Sequence, residues 1–564
     1  MRPMKASCSV PALMSGLLCL LPALGCSQSS SPSNPPPGAG APGVAGAAAN
    51  GGAPSASSGA GGTLATVAGA SNVSGAPSTT AGATSGGAPS SAGAPSSAGA
   101  GGSGGSSGAG APGSGGAAGV CTPPTVSLSG ANAVVGTLIQ FNDNGAWCWY
   151  QDERALVDTK ANKILLGTVA SGGSRNGYVE AVIYDIAAGT KKLYTLGTGL
   201  SSNIDDHNAP AFLIRPDGKY FAMWSGHRSD CYSRTSIFDG TAWSAEKKFD
   251  WGPLGCPWPG ADTNMVTYSN PWYMGTSIYS AVRSIATDPA VLTSADDGAT
   301  LSFYGRLMST KQVGYVAGYF KYWGDNTGRI DFVGTEAHPR DADTSLYHGY
   351  IMADGTVHKS DGTVEDAKLK DDTATASTSV DITNYTSVFK TGTTINGVKL
   401  EHAWNHDIVR YADGTIAVLG QARVNGTGTD DPDKRMLYWR YDGTAWKATY
   451  LVKGGSKLYP DEQDYIGLGA LVPDDPRTIY ISTPYNPTTD VMGPSGKHEI
   501  WRGTTCDNGA TFTWTPVTAN STKDNLRPVV PKWDASHTAL LWMQGTYTSA
   551  QNYALAIVGT ISAN

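Results

Sequence analysis

The stretch Ile237-Phe238-Asp239-Gly240-Thr241-Ala242-Trp243 returns later in the chain as Arg440-Tyr441-Asp442-Gly443-Thr444-Ala445-Trp446. Each copy places an Asp-Gly turn between strand-forming aromatic residues. Gly reaches positive φ without strain, and Asp bonds its own backbone, so the pair closes a hairpin. Outward from these copies the same chemistry recurs at Asp217-Gly218, Asp297-Gly298, Thr327-Gly328, Asp354-Gly355, Asp413-Gly414 and Asn508-Gly509. Similar strands follow two of them, Lys219-Tyr220-Phe221-Ala222 and Thr415-Ile416-Ala417-Val418. Short strands between regular turns, with scarcely a helical period, predict an all-β fold built by repetition. Residues 121–564, at roughly 60 residues per four-stranded unit, suit a seven-bladed β-propeller. A pair of β-sandwiches is the alternative, which repeated turns disfavour.

Two further hairpins, Ser294-Ala295-Asp296-Asp297-Gly298-Ala299-Thr300 and Thr505-Cys506-Asp507-Asn508-Gly509-Ala510-Thr511-Phe512, resemble the Asp-boxes of secreted propellers. They are read as structural, with the Thr and the aromatic packing each turn on its own blade.

Ahead of the repeats, residues 1–26 carry Arg2 and Lys5, an apolar run from Val10 to Leu24, and Gly25-Cys26. The run is too short to span a membrane and reads as a secretory signal. Ala23-Leu24-Gly25-Cys26 resembles a lipoprotein cleavage box, with Ala23 where Leu is usual, so Cys26 is the expected lipidation site. From 27 to 120 the chain is Gly, Ala, Ser, Pro and Thr with few other residues and no charge. Such a composition offers too little apolar surface to offset ordering entropy and predicts a disordered linker. The chain is therefore expected to be exported, as a cell-envelope lipoprotein at the outer membrane or as a secreted protein. Its membrane association would run only through the lipid anchor.

The net charge of −7, with no Lys/Arg-rich block, argues against nucleic acid as a partner. A monomer is expected. Beyond Cys26 the cysteines are Cys121, Cys148, Cys231, Cys256 and Cys506. In an oxidising compartment Cys231 and Cys256 are the favoured disulfide pair, and an odd number leaves at least one thiol unpaired. No CxxC pair supports a cysteine-based zinc site. No cofactor is expected for chemistry; calcium or zinc would enter only as a structural ion.

Chemistry concentrates at Asp205-Asp206-His207-Asn208-Ala209-Pro210 and at Ser225-Gly226-His227, in a chain with only 9 His. Asp, Asn and Pro make the first segment a turn, and Lys219–Trp224 reads as the buried strand that leads to His227. His402 and His406, four apart around Trp404, would align as metal ligands on a helix but not on a strand, and are read as structural. Most of Trp147, Trp149 and Trp404 is assigned to blade packing, with sugar stacking the alternative.

In sequence order, Asn144-Gly145-Ala146-Trp147-Cys148-Trp149-Tyr150-Gln151-Asp152-Glu153-Arg154, Asp205–Asn208, Ser225–His227, Thr267-Tyr268-Ser269-Asn270-Pro271, Ala337-His338-Pro339-Arg340 and Asn525-Leu526-Arg527-Pro528-Val529-Val530-Pro531 resemble the BNR-repeat propellers that include ulvan lyases. The resemblance implies a seven-bladed catalytic propeller over 121–564, acting on an acidic polysaccharide at rhamnose–uronate bonds. It implies a site of His207, His227, Tyr268, Arg283 and Arg340, with Tyr268 matched by its Tyr-Ser-Asn-Pro context and Arg283 by spacing. β-Elimination needs a neutralised carboxylate, a base and an acid, which Arg, His and Tyr supply. His207 is read as base, Tyr268 as acid or proton shuttle, and Arg340 with Arg283 as carboxylate neutralisers. The base and acid labels are interchangeable at this stage. His227 would position substrate or share proton transfer, and His338, Asn208 and Trp147 are candidate substrate contacts. Competing readings are a glycoside hydrolase of the same fold, which would more usually need two carboxylates across a cleft, and a carbohydrate-binding propeller without chemistry. A sialidase is disfavoured by the lack of an early Arg-Ile-Pro element.

Overall fold

A computed structural model describes residues 126–564 except 199, 201–203, 228, 259–265, 309–317, 372–379, 425–432, 461 and 463. All described residues belong to the second of two compact units, Ser107–Asn564. The signal segment, the linker, Cys26 and Cys121 lie outside the described residues.

Seven antiparallel sheets form the blades of a propeller. Blade 1 runs Ala155–Asp158, Lys163–Val169, Val179–Asp185 and Thr190–Gly197, and blade 2 runs Ala211–Ile214, Tyr220–Ser225, Tyr232–Phe238 and Lys247–Asp250. Blade 3 opens on Thr267–Met274, blade 4 on Phe320–Gly324 and blade 6 on Gly469–Leu471, while the long bulged Val398–Arg410 is the innermost strand of blade 5. Blade 7 takes three strands from the C-terminus, Asp524–Val529, His537–Ser549 and Asn552–Ala563, and its outer strand, Ile139–Asn142, from ahead of blade 1. This splice joins the two ends of the propeller domain in one blade and closes the ring.

Burial follows position in the blade. Thr267–Met274, innermost in blade 3, is buried at every residue, whereas the outermost Lys247–Asp250 of blade 2 is almost wholly exposed. Innermost strands touch their neighbours around the axis, so both of their faces are covered. Trp147, Trp224, Trp251, Trp272, Trp404, Trp439 and Trp542 are all fully buried between or within blades. Among the described residues only short 3₁₀ turns interrupt the strands and loops.

The repeated turns are built alike. Asp239 Oδ1 accepts the backbone N–H groups of Thr241 and Ala242 at 2.8 and 2.9 Å, and Asp442 Oδ1 accepts those of Thr444 and Ala445, both at 3.0 Å. In the other pair of hairpins, Ser294 Oγ and Thr505 Oγ1 each accept a glycine N–H at 2.8 Å, from Gly298 and Gly509. These hairpins do not pack on their own blade alone. A Cβ on Gly298 would sit 2.4 Å from Phe221 of blade 2, and one on Gly509 would sit 2.3 Å from Tyr438 of blade 5. The glycines thus let each turn press against the preceding blade, which a hairpin read in isolation cannot reveal.

Candidate active site

In a four-stranded meander, the loops entering the first strand and the loops joining the second to the third open on the same face. Here that face gathers one ring or cation from every blade. Trp149 precedes the inner strand of blade 1, His207 that of blade 2, Tyr319 that of blade 4 and Tyr465 that of blade 6; Tyr268, Trp404 and Arg527 lie on the inner strands of blades 3, 5 and 7. Trp149 lies 4.8 Å from Tyr465 and 5.5 Å from Trp404, Trp404 lies 5.3 Å from Tyr319, and Tyr268 lies 5.8 Å from His207, all between ring centroids. The Arg527 guanidinium stands over Trp149 and Tyr465 at 5.0 and 5.5 Å.

Bulges aim several of these groups. The ladder shifts register between Thr267 and Asn270, between Glu401 and Trp404, and between Leu526 and Val529. Within those shifts Tyr268, His402 and Arg527 take φ of 61°, 52° and 50°. A left-handed non-glycine residue costs about 1–2 kcal/mol, and a bulge re-aims the side chain that it carries. Tyr268 and Arg527 are thereby directed to the axis.

The imidazoles of His207 and His227 stack with centroids 4.3 Å apart and planes 20° apart. A 3₁₀ turn, Asp206–Asn208, carries His207, and the loop after strand Tyr220–Ser225 carries His227. One carboxylate serves both rings: His207 Nδ1 lies 2.5 Å from Asp205 Oδ1, and His227 Nδ1 lies 2.7 Å from Asp205 Oδ2. Gln551 of blade 7 donates to Asp205 Oδ2 at 2.6 Å, and Gln151 donates to the His207 carbonyl at 2.5 Å. His207 Nε2 faces the Tyr465 hydroxyl at 3.4 Å. Asp206 Oδ2 accepts from Arg527 Nη1 at 2.6 Å and the Tyr547 hydroxyl at 2.7 Å, and its Oδ1 lies 2.9 Å from His207 Nδ1.

Charge separates the two rings. Burial alone would push His207 down, but Cys148, Asp205, Tyr268 and Asp206 together hold it well above the ordinary imidazole value. Burial pushes His227 down to about 4, with Asp205 opposing the shift and His207 adding to it. Asp205 is kept well below the ordinary carboxylate range because His227 and His207 outweigh its burial. At neutral pH the pair therefore carries its proton on His207, and His227 is neutral.

Arg283 joins this group from the end of strand Ser277–Arg283, its guanidinium 4.6 Å from the Tyr268 ring centroid and 5.5 Å from that of Tyr319. Arg340 is engaged by carboxylates. Its Nη1 bonds both oxygens of Glu462, at 3.0 and 3.1 Å, and its Nε and Nη2 bond Asp341. Two carboxylates match its charge, whereas Arg283 acts electrostatically on His227.

The three substrate contacts inferred from sequence are corrected by burial. Trp147 is fully enclosed and donates Nε1–H to the Arg527 carbonyl at 3.3 Å. Asn208 is fully enclosed and accepts the His227 backbone N–H at 2.6 Å, which ties the two histidine loops together. His338 is enclosed between Tyr319 and Trp404, and its Nδ1 accepts the Arg340 N–H at 3.1 Å. His406 is buried against Gln421 at 2.9 Å, and His402 bonds the Pro339 carbonyl at 2.5 Å and Asp343 at 2.7 Å.

Sequence reasoning quoted Asp205 and Arg527 without giving either a role, and it missed Tyr319, Tyr465 and Glu462, whose positions arise only when distant blades meet. Among the described residues, three groups bring donor atoms within 4.8 Å of one another and could hold a metal: Cys148 with Asp206 and His207, Asp205 with His207 and His227, and Asp343 with Glu401 and His402. In the first two, His207 Nδ1 is already engaged by Asp205. Cys148 is a buried free thiol, Cys231 and Cys256 are joined at an S–S distance of 2.01 Å, and Cys506 is also disulfide-bonded.

Compared by sequence, the chain matches no protein-family model and no curated protein. Compared by structure, it is similar to a polysaccharide lyase titled an ulvan lyase, solved alone and bound to a GlcA(1-4)Rha3S repeat. In both cases the TM-score is 0.53 and the identity 14%, over 75% of this chain and 95% of that one. A polysaccharide lyase titled Uly1 aligns at a TM-score of 0.45 and 11% identity, over 76% of this chain and 99% of that one. At such identities the likeness establishes the fold: this chain is a seven-bladed β-propeller.

Proposed function

We propose that this propeller is a polysaccharide lyase that cleaves the bond between rhamnose and a uronic acid in an acidic, ulvan-like polysaccharide by β-elimination. The observation that carries the reading is the stacked pair His207 and His227, one cationic and one neutral, beside Tyr268 and the Arg283 guanidinium. Elimination removes the proton next to the uronate carboxylate, forms a double bond in that ring and expels the neighbouring sugar oxygen. Arg283 offsets the charge that builds on the carboxylate. His227, the neutral and more exposed ring, takes the proton, and His207 with Tyr268 returns one to the departing oxygen. This exchanges the roles first given to the two rings, because a histidine held in its cationic form is an acid.

Hydrolysis has less support. Asp205 and Asp206 are the carboxylates nearest the imidazoles, and both are engaged, one by the two histidines and one by Arg527 and Tyr547. The same reading has the chain exported and held at the cell envelope by a lipid on Cys26 through the linker 27–120.

The test is ultraviolet absorbance during incubation of the full chain with ulvan and with rhamnose-capped glucuronate polymers, beside His207→Ala. A rise that disappears in the variant, reporting an unsaturated uronate, is expected. New reducing ends or free rhamnose without a rise in absorbance would replace the lyase by a hydrolase.

A further inference from the structure

We propose that Asp205 is a positioning residue that makes His207 and His227 a single-proton unit by holding both rings through Nδ1. The inference rests on the acid–base reading of this site and deepens it.

Asp205 is fully enclosed, and each of its oxygens faces a different imidazole, Oδ1 at 2.5 Å from His207 and Oδ2 at 2.7 Å from His227. Two more donors lock it in place, the His207 backbone N–H at 3.0 Å and Gln551 Nε2 at 2.6 Å. A carboxylate only accepts, so both rings must present Nδ1–H to it. Their chemistry is thereby displaced to the two Nε2 atoms. The rings are 4.3 Å apart, and two imidazolium charges at that separation, sharing one negative charge in a buried site, are strongly disfavoured. One anion and one shared proton make the group of three neutral. Asp206 Oδ1 lies 2.9 Å from His207 Nδ1 and supports the same Nδ1–H of that ring, while Arg527 and Tyr547 hold its Oδ2. Other ionisable groups acting on the pair are Cys148, Asp206, Tyr268, Arg283, Tyr459, Tyr465, Arg527, Tyr547 and Tyr553.

An amide in place of this carboxylate has one accepting atom and one donating atom. In Asp205→Asn one imidazole keeps its tautomer, and the other meets an N–H and must turn its Nδ1 lone pair toward it. Because Asp205 Oδ1 also accepts the His207 backbone N–H, the amide nitrogen falls toward neutral His227, which then shows Nε2–H where it had shown a lone pair.

The experiment is nitrogen-15 magnetic resonance of the imidazoles in the full chain, whose 9 histidines give few signals, together with steady-state kinetics across pH. In the wild type, His207 and His227 are expected with protonated Nδ1. In Asp205→Asn exactly one of the pair is expected to move to the Nε2–H form while the other histidines stay, and kcat is expected to fall about 10³–10⁴-fold with KM little changed. Unchanged tautomers, or a kcat within a few-fold of wild type, overturn the proposal. Should Asp205→Asn fail to fold, Gln551→Leu removes one donor from Oδ2. It strengthens the remaining bond to His227, so the acid limb of the kcat profile is expected to move to higher pH, and an unmoved limb counts against the proposal. The tautomers need no substrate to be read. A lack of elimination activity therefore removes the lyase reading and leaves this inference to the spectra.

Discussion

Arg283 shows how much at this site depends on the kind of side chain and not on charge alone. Its planar guanidinium lies over the rings of Tyr268 and Tyr319, which fix its place. Lysine would keep the charge but lose both the stacking and the two-point grip on a carboxylate. Arg283→Met is expected to lower kcat/KM about 10²–10³-fold and Arg283→Lys about 10-fold, measured by the absorbance assay. If lysine proved as damaging as methionine, geometry and not charge would be the main contribution. What was legible at this scale was local. Asp205 to Asn208 and Ser225 to His227 are contiguous turn segments, and the scarcity of histidine made them conspicuous. The false leads share one cause: Trp147, Asn208 and His338 carry sugar-binding chemistry in their side chains, but whether a side chain meets solvent depends on the blades packed around it.

Among the elements, the hairpins separate into two kinds by what their glycines meet. Gly240 and Gly443 take φ of 103° and 95°, and a Cβ on either would meet nothing within 4 Å. Gly298 and Gly509 take φ of 86° and 85°, but there a Cβ would strike Phe221 or Tyr438 of the neighbouring blade. Alanine at the first pair bears only the left-handed backbone cost, about 1 kcal/mol. At the second pair overpacking adds about 1–3 kcal/mol. Urea unfolding should therefore rank Gly298→Ala and Gly509→Ala as clearly more destabilised than Gly240→Ala and Gly443→Ala, and equal losses would show that blade-to-blade packing is softer than the contacts imply. The turns themselves were legible because their chemistry is internal to a few residues. Their docking partners were not, since Gly509 meets a residue from the preceding blade that is distant in the chain.

For the whole molecule, ring closure gathers polar groups at the axis that no single blade would bury. Lys321, fully enclosed, donates to the Trp149 carbonyl at 2.5 Å and pairs with Asp152, and Asp407 accepts the Leu471 N–H at 2.8 Å. The seven-blade count followed from the length of 121–564 at roughly 60 residues per blade, but this axial charge did not, because residues 152, 321 and 407 come from three different blades. Its consequence is a pair of opposed pH dependences on adjacent residues of one strand. Burial lowers His406 from 6.5 to about 4, so its contribution to stability is whole above 6.5 and drains as pH falls toward 4. Burial raises Asp407 from 3.8 to about 6, so its contribution is whole below 3.8 and drains as pH rises through 6. Between pH 7 and pH 5 the first term costs the fold about 2 kcal/mol and the second returns about 1 kcal/mol. Urea midpoints at the two pH values should show His406→Gln losing less stability than wild type on acidification, and Asp407→Asn losing more. Parallel behaviour of both variants and wild type would mean that water reaches the axis and screens both groups.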